Sequence, residues 1–221
     1  MNQLKYLTVD TQEQPNSAVI WLHGLGADGH DFEPIVPSLS LPSEYAIRFI
    51  FPHAPERPVT INGGTRMRAW YDILEMSLER KVDMENLQTS VFQVTELIKE
   101  QIEKGIPSER IVIAGFSQGG AVAYQVGLLG QHKLAGIMAL STYLADPKLV
   151  PNAADSINVS TPILIHHGLQ DPVVPHALGA IAKDTLVKKV YQVSSQDYAM
   201  PHSVYPEQIA DISTWLQECL S

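Results

Sequence analysis

The sequence predicts an α/β fold in which a mostly parallel sheet is covered by helices on both faces. Apolar segments of strand length alternate along the chain with segments whose apolar residues recur at helical spacing. Residues 134–140 are apolar throughout, which is typical of a parallel strand buried on both faces. Because the 221 residues contain no internal repeat and no linker-like stretch, we expect one domain spanning residues 1–221.

In the first half of the chain, the pattern predicts three strands and two helices. The strands are predicted at residues 4–9, 18–22 and 46–51. The helices are predicted at residues 31–39 and 87–102. The second strand runs into a glycine-rich loop at residues 23–29. Residues 54–81 show no clear periodicity, and an irregular connection of that length is usually functional.

The second half of the chain repeats the alternation of strands and helices. After an apolar run that begins at Arg110, strands are predicted at residues 134–140, 162–167 and 188–193. Helices are predicted at residues 121–126, 176–185 and 207–220. Residues 141–161 form a second irregular excursion, and residues 198–203 form a loop. With only two such excursions, we expect no large lid domain.

The most informative motif lies where the run from Arg110 meets the helix that follows it. It reads Gly115-Phe116-Ser117-Gln118-Gly119. A strand, a sharp turn that carries a serine and a helix together form the nucleophile elbow of an α/β-hydrolase. Glycines without a Cβ allow the strand and the helix to approach closely. The turn exposes the Ser117 hydroxyl and leaves the Gln118 N–H at a helix N-terminus, where it can face an anion.

A serine nucleophile needs a general base, and the base needs a carboxylate that fixes its tautomer. In α/β-hydrolases the order along the chain is serine, acid, histidine. Asp171 directly follows the strand at 162–167, and His202 lies between the last predicted strand and the last helix. The competing aspartates, at positions 146, 155, 184 and 197, are placed less well. His166 and His167 are alternative candidates for the base, but we expect them to be packed, because neighbouring residues of a strand face opposite sides of the sheet. A metal site formed by both histidines and Asp171 would need further ligands, to which the sequence does not point.

Stabilising the tetrahedral intermediate requires two preorganised N–H donors. The first is the amide of Gln118, which follows the nucleophile. The second is expected from the glycine-rich loop, with Leu25 as the best candidate. A phosphate-binding loop is the alternative interpretation of residues 23–29, but the Gly-Lys-Ser/Thr of a P-loop is missing.

Composition excludes several classes of partner. A formal net charge of −9 argues against binding to a nucleic-acid backbone, which relies on clustered lysine and arginine. No run of eighteen apolar residues is present, so we expect no membrane span, and the first six residues lack the apolar core of a secretory signal. A single cysteine, Cys219, rules out an internal disulfide and suits a reducing compartment. We therefore expect a cytoplasmic protein.

Six segments of the chain resemble the carboxylesterase and acyl-protein thioesterase family, also described as phospholipase/carboxylesterase. The matching segments are residues 23–29, 51–55, 68–72, 115–120, 167–175 and 201–203. The resemblance implies a compact serine hydrolase without a lid, often a homodimer, that uses Ser117, Asp171 and His202 with Leu25 and Gln118 as oxyanion donors. It also implies that the region of Trp70 lines the acyl groove, and that no metal or organic cofactor takes part.

The sequence leaves the substrate open. We expect a carboxylesterase acting on short- to medium-chain acyl esters or thioesters. Acyl-protein thioesterase or lysophospholipase activity is the alternative, and an acylated protein would then be the partner. A non-catalytic binding module on the same fold is a further alternative, although all three triad positions are filled. A dienelactone-type hydrolase would need a cysteine nucleophile, and the only cysteine, Cys219, is far from the elbow.

Overall fold

A computed structural model describes residues 3–75 and 80–221 of the chain. The main sheet has seven strands in the order β1-β3-β2-β6-β7-β8-β9. Its strands are β1 Tyr6–Asp10, β2 Ser17–Leu22, β3 Ile47–Pro52, β6 Ile111–Phe116, β7 Gly136–Leu140, β8 Ile163–Gly168 and β9 Val193–Tyr198. Only β1 runs antiparallel to its neighbour, and the other neighbouring strands pair in parallel. The prediction of a mostly parallel sheet is confirmed.

Helices cover both faces of this sheet, as predicted. They are α1 Ile35–Ser38, α2 Met84–Glu103, α3 Gln118–Leu129, α4 His176–Lys188 and α5 Pro206–Cys219. Alternate residues of β2 enter different hydrophobic clusters. Ile20 packs on the side of α2, α3 and α4, whereas Trp21 packs on the side of α1 and α5. A strand buried on both faces has no polar side, which explains its continuous apolar sequence.

The last strand lies later in the chain than predicted. The prediction of a strand at residues 188–193 is wrong, because α4 continues to Lys188 and β9 spans Val193–Tyr198. The apolar residues that suggested a strand belong to the turn after α4, where Val190 has φ 68° and is exposed. β9 pairs only with β8, so it is an edge strand and its residues are largely polar.

The stretch at residues 54–81 also differs from its prediction. It contains a two-stranded antiparallel hairpin, β4 Glu56–Val59 and β5 Thr65–Arg68. The hairpin turns at Gly63 and Gly64, which have φ of 64° and 77°. Residues 76–79 of this stretch lie outside the described residues, as do residues 1–2 of the N-terminal segment considered above. Among the described residues, no helix is both long enough and apolar enough to cross a bilayer.

Two buried histidines make the stability of the fold sensitive to pH. Burial lowers the pKa of both His23 and His166 from 6.5 to about 4. In the unfolded chain these rings take up protons below about pH 6.5, but in the folded protein they stay neutral until about pH 4. Stability therefore falls as the pH drops through this window. We expect the free energy of unfolding to decrease by about 2 kcal/mol per histidine between pH 7 and pH 5.

Urea unfolding at pH 7 and pH 5 measures this effect. In His166→Gln, the difference between the two pH values should be smaller than in the parent by about one histidine's share. The partly exposed His132 provides the matched control. His132→Gln should leave the difference unchanged. An unaltered pH difference in His166→Gln would contradict the prediction.

Candidate active site

Ser117 occupies the sharp turn between β6 and α3, as the sequence predicts. Its backbone has φ 54° and ψ −120°, in a region that non-glycine residues seldom adopt. A Cβ on Gly115 would lie 2.3 Å from the Gly119 carbonyl oxygen, and one on Gly119 would lie 2.5 Å from the carbonyl oxygen of Leu22. Both glycines are therefore required by the close approach of the helix to the strands. The turn presents the serine at the carboxyl end of β6.

Asp171 and His202 lie together, as predicted. The His202 Nδ1 is 2.6 Å from the Asp171 Oδ2, and the Asp171 side chain is fully buried. Its other oxygen, Oδ1, accepts hydrogen bonds of 2.8 Å from the N–H groups of Val173 and Val174. Burial alone would raise the pKa of Asp171, but the bonds from His202 and from these amides outweigh it, and the pKa lies below its ordinary value. The carboxylate therefore stays ionised next to the imidazole.

The imidazole of His202 also lies close to the nucleophile elbow. Its ring centroid is 4.6 Å from that of Phe116, the residue before Ser117. Among the hydrogen bonds of the described residues, none joins the Ser117 hydroxyl to His202. Catalytic hydrogen bonds are often long in unliganded enzymes and tighten only when substrate binds. The structure thus places the three predicted side chains at one edge of the sheet, with the acid–histidine contact already formed.

Leu25 lies in a loop held rigid against Ser117. A Cβ on Gly24 would be 3.4 Å from the Cβ of Ser117. The buried His23 donates from Nδ1 to the Gly24 carbonyl over 2.7 Å and accepts at Nε2 from the N–H of Ala54 over 3.0 Å. Both bonds need the neutral Nδ1–H tautomer, and the lowered pKa of His23 keeps the ring neutral. The loop is therefore preorganised, as an oxyanion-binding segment must be.

The second predicted donor, Gln118, is the first residue of α3. Its N–H therefore has no partner within the helix. Its buried side chain also has a structural role, which the sequence did not indicate. The amide accepts from the N–H of Trp70 and donates to the carbonyl of Tyr71, both over 2.7 Å. Because these contacts join residues about 47 positions apart, no local pattern could have indicated them.

Trp70 does not lie where the resemblance implied. Its side chain is fully buried, and its Nε1 donates over 2.9 Å to the carbonyl of His23. A fully buried ring cannot line an open groove. Trp70 instead stabilises the His23 loop through this hydrogen bond. Because its ring is buried, the prediction that it lines the substrate groove is corrected.

His166 and His167 are both buried, as expected for packed residues. The His167 Nε2 is 2.8 Å from the Val174 carbonyl and 3.6 Å from the Asp171 Oδ2. The contact with the Val174 carbonyl stabilises the loop whose N–H groups bind the Asp171 carboxylate. His167 therefore supports the acid of the site through the backbone.

A different group of side chains brings possible metal ligands together. Ligand atoms of Asp28, His30 and His53 lie within 4.8 Å of one another. The Asp28 carboxylate is 3.0 Å from the His30 Nδ1, and the His53 Nδ1 accepts from the N–H of Gly29 over 3.1 Å. With Nδ1 as an acceptor, the neutral His53 ring carries its proton on Nε2 and offers no free lone pair. These contacts stabilise the loop, and metal binding would have to break one of them.

A cavity of about 730 Å³ lies beside residues 143–148. Its apolar lining includes Met84, Leu144, Leu178 and Ile181. Tyr143 also lines it and follows Thr142, whose hydroxyl contacts the Ser117 carbonyl. Its charged lining residues are Glu75, Arg80, Lys81, Asp146 and Lys148. The lining therefore mixes apolar and charged side chains, and Tyr143 is the chain neighbour of a residue that contacts Ser117.

The main sheet is mostly parallel and has helices on both faces. A serine occupies a strained turn between a central strand and the helix that follows it. Together these features define an α/β-hydrolase. Comparison with known proteins gives the family. Residues 5–220 match the family described as phospholipase/carboxylesterase. The chain belongs to this family.

Named relatives resemble the chain over nearly its whole length. The chain is 36% identical to acyl-protein thioesterase 1 of Cryptococcus neoformans, with 98% of each chain covered. It is 38% identical to acyl-protein thioesterase 1 of Saccharomyces cerevisiae, with 97% of this chain and 98% of the yeast protein covered. Among solved structures, acyl-protein thioesterase 2 of Zea mays superposes with a TM-score of 0.87 at 26% identity, covering 98% of this chain and 99% of the maize protein.

Proposed function

We propose that this protein is a serine carboxylesterase that hydrolyses short- to medium-chain acyl esters or thioesters. The observation that carries the proposal is the 2.6 Å contact between a buried, ionised Asp171 and His202, beside a serine held on a nucleophile elbow. Family membership supports the same chemistry. In this proposal Ser117, His202 and Asp171 form the triad, and the amides of Leu25 and Gln118 form the oxyanion hole.

The reaction proceeds through an acyl-enzyme. His202 removes the proton of the Ser117 hydroxyl as its oxygen attacks the acyl carbonyl carbon. The two amides stabilise the negative charge that develops on the carbonyl oxygen. The carbon–oxygen or carbon–sulfur bond of the substrate then breaks, and the leaving alcohol or thiol takes the proton from His202. His202 then removes a proton from water, which attacks the acyl carbon. The bond between this carbon and the Ser117 oxygen breaks, that oxygen takes the proton back from His202, and the carboxylic acid is released.

Acyl-protein thioesterase activity is the alternative that the relatives favour, since the relatives described above carry that name. An acylated protein would then be the partner, and a lysophospholipid would be a further substrate class. The catalytic steps are the same in each case, and the difference lies in what the surface beside the site accepts.

We further propose that the protein works in the cytoplasm, and that it forms a homodimer.

A panel of substrates on one preparation tests the proposal. We expect turnover of p-nitrophenyl esters and acyl-thioesters, with the highest kcat/KM at short to medium chain length within a series from C2 to C16. In this proposal the acyl chain packs against the apolar residues of the cavity of about 730 Å³, and no interfacial activation is needed. A sharp optimum at C16 with interfacial activation would indicate a lipase instead. A protein that neither turns over these substrates nor reacts with a fluorophosphonate probe would be a binding module.

A further inference from the structure

The last residue of β7 and the segment that follows it together contact both peptide groups of Ser117. The N–H of Ser117 donates to the carbonyl of Leu140 over 2.9 Å. The carbonyl of Ser117 accepts a hydrogen bond of 2.6 Å from the Thr142 hydroxyl. Thr142 is buried, and it is two residues from Leu140 in the chain. Leu140 and Thr142 therefore form hydrogen bonds with the peptide groups on both sides of Ser117.

The Ser117 carbonyl belongs to the same peptide unit as the Gln118 N–H. That N–H is the oxyanion donor in the proposed function, on which this inference rests. Three donors converge on the carbonyl: the amides of Gly120 and Ala121, over 3.0 and 3.4 Å, and Thr142 over 2.6 Å. Thr142 makes the shortest of these contacts. It is also the contact made by a side chain, so a substitution can remove it and leave the helix backbone intact.

We propose that Thr142 is a positioning residue for the oxyanion hole. Its hydrogen bond fixes the plane of the Ser117–Gln118 peptide and so aims the Gln118 N–H. A donor on a peptide oxygen also polarises the N–H of the same unit, which strengthens the bond that the N–H gives to an acceptor. Both effects matter most when negative charge develops on the substrate oxygen. Thr142 therefore acts on the transition state through Gln118, without touching the substrate.

The surroundings of Thr142 fix the direction of its hydroxyl. A Cβ on Gly120 would lie 2.6 Å from both the Cβ and the Cγ2 of Thr142, so the methyl group packs closely against the first turn of α3. This packing offers a competing explanation, in which Thr142 merely fills space. The two roles depend on different atoms, since packing uses the methyl group and positioning uses the hydroxyl.

Two substitutions separate these atoms. Thr142→Val keeps the shape and removes the hydroxyl, whereas Thr142→Ser keeps the hydroxyl and removes the methyl group. We expect Thr142→Val to lower kcat about tenfold with KM nearly unchanged, which is less than the loss of an oxyanion donor outright. It should weaken inhibition by a trifluoromethyl ketone, which forms a tetrahedral adduct with the serine, by a similar factor. Thr142→Ser should retain kcat within about twofold of the parent.

The opposite pattern would overturn the inference. If Thr142→Val matches the parent and Thr142→Ser loses activity, the residue only fills space. If Thr142→Val does not fold by circular dichroism, Thr142→Ala and Thr142→Ser supply a second pair that differs only in the hydroxyl. The inference then requires Ala to be about tenfold slower than Ser, and equal rates reject it. A parent protein with no hydrolase activity would instead reject the proposed function, so the two failures are distinguishable.

Discussion

Replacing Ser117 with alanine is expected to lower kcat by roughly a thousandfold or more while leaving the fold intact. The hydroxyl is the atom that forms the acyl-enzyme, so its removal leaves only the oxyanion donors and substrate binding. The remaining rate should still exceed that of uncatalysed hydrolysis in water, because the oxyanion donors and the substrate-binding contacts accelerate hydrolysis by themselves. Initial rates on p-nitrophenyl butyrate and on a matched acyl-thioester measure the loss.

A control serine outside the site makes this result specific. Ser108→Ala removes a hydroxyl that contacts Glu109 in the turn before β6, at the opposite end of that strand. It should hydrolyse both substrates at the parent rate and react with a fluorophosphonate probe as the parent does. Ser117→Ala should not react with the probe. A Ser117→Ala protein that turned over substrate at the parent rate would exclude Ser117 as the nucleophile.

Asp171→Asn is expected to lower kcat by roughly a thousandfold to ten-thousandfold, because it reverses the tautomer of His202. The N–H groups of Val173 and Val174 both donate to the same side-chain oxygen of Asp171. In the variant, the amide oxygen must face these donors, so the NH₂ group faces the His202 Nδ1. That nitrogen must then accept a hydrogen bond, and the ring proton moves to Nε2. His202 can no longer accept the proton of Ser117.

Asp197→Asn is the matched control for this substitution. Asp197 contacts the Nε2 of His176 over 3.0 Å, and its side chain is 48% exposed. The exposed pair should contribute little to stability and nothing to catalysis. Steady-state rates of the two variants, with circular dichroism to confirm folding, test the argument. Parent-like kcat in Asp171→Asn would remove Asp171 from the triad.

Several features of this protein could be predicted from the sequence because they depend on local chemistry. The elbow is an example. Gly115 and Gly119 are needed wherever a helix turns back on its strand, and the run before Ser117 has the composition of a buried strand. The positions of Asp171 and His202 follow from the order of strands in a parallel sheet, whose carboxyl ends meet at one edge.

Predictions failed where apolar content did not follow secondary structure. β9 is polar because it lies at the sheet edge, while the apolar Val190 belongs to a turn. The hairpin of β4 and β5 is four residues per strand, too short for alternation to be evident. The family resemblance implied that Trp70 lines the acyl groove, yet its ring is fully buried. For β9 and for Trp70, the deciding factor is which neighbouring elements cover the residues.

By itself, the sequence determined the α/β class, the elbow serine and the pair of residues that lie beside each other at the sheet edge. These follow from periodicity, from glycines at fixed spacing and from chain order. Only the tertiary structure decided which groups hold the site in place: the Gln118 side chain on the Trp70 loop, His167 on the Asp171 loop and Thr142 on the Ser117 carbonyl. Most of these contacts join residues distant in sequence, and a hydrogen bond between them exists only once packing has set the distance between the two atoms.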